Sequence, residues 1–284
     1  MVATLNLGHI GIAFPGVREA IALAAEYRFD GVTLPLSGAA EFVRRHGPDA
    51  LEGALHDHGV SYPAFGLPVE WRKDEETLAQ GLDTMMQDLE DLGDLAPKRT
   101  ATWILPGSDS LPLEANIEFH LDRLTPIARE LQAYDVLLGL EFIGTKSLRD
   151  RLAHPFHYRL SDMLDLAHHV GPNGGLLLDA YHWYTAGDTL DAITSCSADD
   201  IVLVHVNDAI AGRSREEQID NDRALPLETG VIDLKAFIGA LSGIGYQGPV
   251  EVEPFSARLK TLSSDEERLR ETSEALRATL ALAQ

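Results

Sequence analysis

Cysteine is almost missing from this chain: Cys196 is the only one in 284 residues. A single thiol excludes an internal disulfide and a cysteine-based zinc cluster, and such usage suits a reducing compartment. Long hydrophobic runs are missing too. No apolar stretch approaches the roughly eighteen residues that a spanning helix needs. The opening MVATLNLGHIGIAF has neither the basic start nor the small-residue cleavage site of a secretory signal. Basic residues are scarce, 23 Lys and Arg against 45 Asp and Glu, for a net charge of -22. A surface this acidic repels phosphodiester backbones and anionic headgroups, which sets nucleic acid and membrane aside as partners. The expectation is a soluble, cytoplasmic protein. No proline- or serine-rich linker and no break in composition divides the chain, so a single domain over residues 1–284 is expected.

What is present is a rhythm. Eight short apolar runs rich in Val, Ile and Leu recur: ATLNLGHI (3–10), DGVTLPL (30–36), GVSYPAFG (59–66), RTATWILPG (99–107), VLLGLEFIG (136–144), GLLLDAYH (175–182), IVLVHVND (201–208) and PVEVEPF (249–255). Segments with apolar residues three and four apart lie between them, at 16–27, 74–95, 113–134 and 233–245, as helices require. The stretch SSDEERLRETSEALRATLALAQ reads as a last helix. Strands covered on both faces read as continuous apolar runs. A unit about every 35 residues, eight times over, has the dimensions of an α/β protein of the (β/α)8 TIM-barrel class. A doubly wound open sheet would want a G-x-G-x-x-G turn after the first strand, and none follows LNLGHIGIAFPG.

In such a barrel, function sits at the C-terminal ends of the strands. The fifth run leads to Glu141, the sixth to Asp179, the seventh to His205 with Asp208 just beyond, and the eighth to Glu253. Singly, each has an ordinary explanation as a helix cap, an arginine partner or a hydrogen-bonded core residue. Together, three carboxylates and an imidazole at one mouth repel each other unless a cation stands between them. An oxygen-rich set with one nitrogen suits Mn²⁺, Co²⁺, Mg²⁺ or Zn²⁺.

The segments EFIG (141–144), LDAYHWY (178–184), VHVND (204–208) and GVIDLKAFIGALSGIGYQGPVEVEPF (230–255) resemble the xylose isomerase-like TIM-barrel superfamily of sugar isomerases and epimerases. The branch with inosose isomerases and ketose 3-epimerases is the nearest in pattern. The resemblance implies one divalent metal, manganese first, held by Glu141, Asp179, His205 and Glu253. It also implies that Glu141 and Glu253 act as the acid/base pair on opposite faces of a keto-sugar, and that His182 hydrogen-bonds a substrate carbonyl or hydroxyl. Arg223 is the counterpart of an arginine that follows the metal histidine in relatives. Its alternative is an ion pair with Glu216, Glu217, Asp220 or Asp222. The chain departs from the pattern at Ser147 and Thr33, where relatives often carry glutamate, and in LPLETG (225–230), one residue longer than their turn.

Several further residues are expected at the mouth. Glu251, two before Glu253, points the same way and deeper. The segment KSLRDRLAHPFHYR (146–159) gathers Lys146, Arg149, Arg151 and Arg159 around a single acid, Asp150. These cations serve either to neutralise acidic neighbours or to bind an anionic substrate group. The polar loop 208–226 has the length of a lid. Trp103 and Trp71 are candidate pocket walls, Asp208 and His9 candidate substrate contacts, and the five histidines 46, 56, 58, 168 and 169 surface residues.

The expected activity is isomerisation or epimerisation of a keto-sugar, keto-inositol or sugar acid through an enediolate, with a small carbohydrate, neutral or anionic, as partner and self-association left open. Alternatives are a lyase on the same intermediate (dehydration, decarboxylation or 3-keto-glycoside cleavage), an abasic-site endonuclease, and a non-catalytic sugar-binding relative. The endonuclease needs extra histidines where YPAFG and TLPL stand, and the acidic balance opposes it.

Overall fold

The alternation of apolar runs and amphipathic segments closes into a barrel in the computed structural model, which describes residues 1–283. Its parallel strands are β1 (Val2–Leu5), β2 (Gly31–Val32), β3 (Phe65–Gly66), β4 (Arg99–Ile104), β5 (Leu137–Phe142), β6 (Gly174–Asp179), β7 (Ile201–Val206) and β8 (Pro249–Val252). Each lies within, or within a residue of, one of the eight apolar runs. Their spatial order is β2-β1-β8-β7-β6-β5-β4-β3, every neighbour parallel. The ring closes between the ends of that series. Gly31 bridges Ser61, the Val32 N–H donating to the Ser61 carbonyl at 2.9 Å and the Ser61 N–H to Asp30 at 3.0 Å. A side chain at Gly31 would start 3.0 Å from Ser61 Oγ and 3.1 Å from Thr4 Oγ1, so closure needs a bare backbone there.

β2 and β3 are shorter than their apolar runs suggest. Pro35, Pro63 and Pro68 flank them, and a proline has no N–H for the ladder. Residues 60–64 cross as loop, leaving Phe65–Gly66 to pair with β4. Helices Val17–Glu26, Glu75–Leu92, Leu113–Gln132, Leu160–Val170, Leu234–Gly243 and Asp265–Leu280 cover the outside. Asp74, Asp233 and Ser264 cap three of them by accepting from Thr77, Ala236 and Glu267 N–H groups. Inside the ring, Ala64, Leu177 and Leu203 are buried with Ala101 packed against them, a small apolar layer that floors the mouth above it. A short antiparallel ribbon, Gly107–Ser108 with His154–Pro155, ties the loop after β4 to the loop after β5. Among the described residues no helix is long and apolar enough to cross a membrane.

Candidate metal centre

Strand geometry brings the four strand-end residues together. Glu141 on β5, Asp179 ending β6, His205 on β7 and Glu253 just past β8 each offer an atom within 4.8 Å of the others. His205 Nδ1 lies 3.8 Å from Glu141 Oε1, 3.9 Å from Asp179 Oδ2 and 3.6 Å from Glu253 Oε2. These separations exceed a hydrogen bond. They lie slightly above the roughly 3–3.5 Å between atoms that share a cation at bond lengths near 2.1 Å. Glu141 Oε1 and His205 Nδ1 are buried without a hydrogen-bond partner, a costly state for polar atoms. Orphaned oxygen and nitrogen aimed at one point fit a divalent ion with an O/N donor set.

The electrostatics carry the same signature. Burial, partly offset by His205, pushes the Glu141 carboxyl up to about 7. Burial acts in the same direction on Glu253, but His205, His9 and Arg223 outweigh it and hold that carboxyl well below the usual range. For His205, burial opposes the charge, yet Glu253 and Glu141 hold the imidazolium well above its ordinary value. Two carboxyls with environments that push them apart are suited to opposite proton-transfer roles.

Around this cluster the chain builds a second ring of contacts. Asn207, two residues past His205 and so on the same face, reaches both Asp179 oxygens at 3.2–3.3 Å and the Glu253 carbonyl at 3.2 Å. The period of two in VHVND was the signal that could have singled it out. Asp179 also caps the helix Ala180–Ala186, accepting from Tyr181 N at 2.6 Å and His182 N at 3.3 Å. That cap aims His182 into the mouth. The Gly144 N–H donates to His182 Nδ1 at 3.2 Å, and a Cβ on Gly144 would fall 2.2 Å from the His182 carbonyl, so the approach depends on glycine. Burial, reinforced by Arg223, holds the His182 imidazolium below its ordinary range.

The loop 208–226 delivers Arg223. Asp208 and Ala224 exchange backbone hydrogen bonds at 2.9 Å, and the buried Gln218 side chain bonds Ile210 N and O at 3.0 Å and Arg213 O at 3.2 Å. Arg223 Nη1 stands 2.9 Å from Asp179 Oδ2 and 3.0 Å from Glu253 Oε2, while Nη2 donates to Asp220 Oδ1 at 2.9 Å. The expected ion pair with Asp220 is present, and so is a place at the mouth. Phe255, in the left-handed region at φ 39°, lays its ring 4.9 Å from the Arg223 guanidinium.

A cavity of about 290 Å³ opens above the four residues. Glu141, His182, Asp220, Arg223 and Glu253 form its polar side, and Trp103, Leu105, Ile143, Leu148 and Phe255 its apolar side. Trp103 is 44% exposed at this wall, and the Arg72 guanidinium stacks between it and Trp71 at 3.8 and 3.9 Å. Trp71 itself is 1% exposed and bonds Thr102 Oγ1 at 3.1 Å, so it is a core plug and forms no pocket wall. Half-buried His9, on the turn after β1, meets the His205 ring edge-on at 4.9 Å, with Nε2 3.7 Å from Glu253 Oε1.

Two expected substrate contacts stand elsewhere. The Asp208 carboxylate accepts N–H groups from Ala209 and Ile232 on Oδ1 at 2.9 and 3.0 Å, and from Thr229 and Gly230 on Oδ2 at 3.1 and 2.7 Å. It is fully buried and organises the loop instead of lining the cavity, because the chain returns over it at 229–232. Lys146 pairs with Asp150 one helical turn away and does not line the cavity. Arg149 stacks on Tyr158 at 3.9 Å, and Arg159 meets Asp188 at 3.2 Å. Lys146, Arg149 and Arg159 thus find local partners.

Fold and site together define a (β/α)8 barrel with a carboxylate–imidazole cluster at the C-terminal ends of its strands. The chain belongs to the xylose isomerase-like TIM barrel family, which it matches over residues 21–279. It is 28% identical over 162 residues to the inosose isomerase of Bacillus velezensis, covering 54% of this chain and 52% of that protein. The chain thus matches about half the length of the curated relatives it resembles. The structure of a xylose isomerase domain protein from Alicyclobacillus acidocaldarius is similar over 100% of this chain and 99% of that one, with a TM-score of 0.85 and 28% identity. The IolI protein, solved with a zinc atom bound, shares the fold over 100% of this chain and 98% of its own at a TM-score of 0.77 and 20% identity.

Proposed function

We propose that the chain is a divalent-cation-dependent isomerase or epimerase of a keto-sugar, keto-inositol or sugar acid. The observation that carries this is the set of orphaned buried atoms on Glu141 and His205 facing Asp179 and Glu253, with ligand atoms of all four within 4.8 Å of one another. Manganese is our first choice among Mn²⁺, Co²⁺, Mg²⁺ and Zn²⁺, since three of the four donors are carboxylates. A cation held there would stabilise the negative charge that develops on two adjacent substrate oxygens.

The chain's own groups supply the rest. Glu253, held ionised, takes the proton from the carbon beside the ketone. Glu141, on the other side, passes a proton from solvent to the opposite face of the planar enediolate for epimerisation, or to the neighbouring carbon for isomerisation. His182 and Arg223 hydrogen-bond the oxygens of that plane, while Trp103 packs on C–H surfaces. The inosose isomerase relative supports a polyhydroxy ketone as substrate class.

Incubation with keto-sugars and keto-inositols in deuterium oxide tests the reading. One deuterium at the carbon beside the carbonyl, in a product of otherwise unchanged mass, is the expected result. A product lighter by water or carbon dioxide would make the enzyme a lyase, and absence of exchange with every substrate would overturn the reading.

A further inference from the structure

Glu251 is a carboxylate that the proton-transfer scheme leaves unused. It is 1% exposed and faces the barrel interior beneath Glu253. Two residues distant in sequence, each just past the end of a strand, hold it: Thr33 Oγ1 donates to Oε1, and Asn6 Nδ2 donates to Oε2 at 3.0 Å. The same Oε2 lies 3.5 Å from His9 Nδ1 and 3.8 Å from His205 Nε2. His205 Nε2 is buried and has no hydrogen-bond partner.

A neutral imidazole has one lone pair and one N–H. His205 Nδ1 faces Glu141, Asp179 and Glu253, so a ligand role there requires the lone pair on Nδ1 and the proton on Nε2. That proton needs an acceptor. Glu251 Oε2 stands about 0.6 Å beyond hydrogen-bonding distance, a gap that a small ring rotation closes. We propose that Glu251 is a positioning residue: it accepts the Nε2–H of His205, selects the tautomer whose Nδ1 lone pair faces the cluster, and makes that nitrogen a stronger donor to a cation. Thr33 and Asn6 keep the carboxylate in register by occupying its other lone pairs. The inference rests on the cation-binding reading above.

His9, His205 and Glu251 also bring ligand atoms within 4.8 Å of one another. A cation there, together with one in the main cluster, would demand lone pairs on both His205 nitrogens, and hence a doubly deprotonated ring. A single ion per chain is therefore expected.

The test compares metal-free wild type and Glu251→Gln by calorimetric titration with Zn²⁺ and Mn²⁺, with circular dichroism to verify the fold. Glutamine keeps the size and one acceptor and removes the charge. The expected result is one ion per chain in both and an affinity about 10- to 100-fold weaker in the variant. Ring ¹⁵N shifts of zinc-loaded wild type should show His205 protonated at Nε2. Equal affinities, two ions per chain, or a proton on Nδ1 would overturn the role of Glu251 and leave the cation reading standing. A wild type that binds neither ion overturns that reading and this one with it. If Glu251→Gln does not fold, Thr33→Val carries the test by freeing Oε1: weakened binding supports the role, and wild-type binding overturns it.

Discussion

Two donors converge on His182: the Arg223 guanidinium Nη2 stands 3.0 Å from the imidazole Nε2, and the Gly144 N–H points at Nδ1 from 3.2 Å. A neutral imidazole accepts at one nitrogen only, and an arginine N–H can only donate. The backbone fixes Gly144, so the tautomer that serves it carries its proton on Nε2, and in that tautomer an oxygen atom between Nε2 and Arg223 would relieve the contact. A substrate hydroxyl or carbonyl placed there accepts from both.

Replacing Arg223 by lysine should keep a positive charge opposite Asp179 and Glu253 and lose the second, forked N–H. A hydrogen bond to a charged donor contributes about 1.5–3 kcal/mol, so KM is expected to rise by about tenfold or more with kcat changed less. Steady-state kinetics decides; an unchanged KM would remove Arg223 from the substrate.

Cation binding should release protons. Glu253 and Glu141 raise His205 although burial opposes it, and burial raises Glu141, so both groups hold a proton more tightly than they would in water. Ligands bind a metal only when deprotonated. Protons should therefore leave as the cation binds, and affinity should rise with pH. Calorimetry in buffers of different ionisation enthalpy measures the number, and a binding heat independent of buffer would contradict it.

Much of this was readable along the chain, for physical reasons. Barrel strands are buried on both faces, so they appear as unbroken apolar runs, and the first polar residue at the end of a run stands at the mouth. Glu141, Asp179 and His205 declare themselves in that way, and Glu253 does so one pleat beyond the buried Glu251. Contacts made across the fold do not. Asp208 sits at a strand end like the others, but whether its carboxylate meets substrate or four N–H groups depends on the returning backbone at 229–232. Trp71 follows β3 and Trp103 lies near the end of the neighbouring β4, and only packing decides that one is core and the other wall. The acceptors of Asn6 and Thr33 lie over 200 residues away in sequence, at Glu251.

Glu253→Gln should lower turnover by at least about a hundredfold, the scale of a lost general base, and deuterium incorporation should fall with it. Glutamine keeps the shape and still accepts from Arg223, so circular dichroism is expected to match wild type. Turnover within a few-fold of wild type would sink the assigned role.

Acid should destabilise the barrel partly through His120, which is neither in the cluster nor in the cavity lining. This residue is 5% exposed on the helix Leu113–Gln132, its Nδ1–H donates to the Asn116 carbonyl at 2.7 Å, and its ring stacks on Phe156 at 4.7 Å. Burial, opposed in part by the Asn116 carbonyl and reinforced by Arg72 and His157, lowers it to about 4 from an ordinary 6.5. The folded value lies below the unfolded one, so from pH 6.5 down to about 4 the unfolded chain binds the extra proton. Stability from this group is present in full above pH 6.5 and is lost as pH falls through about 4, a change of about 3 kcal/mol. His120→Phe keeps an aromatic ring in the stack and cannot take a proton. Urea unfolding at pH 7.5 and pH 4.5 should therefore show a smaller acid loss for the variant. Equal losses in the two proteins would show that His120 takes its proton in the folded state as readily as in the unfolded one.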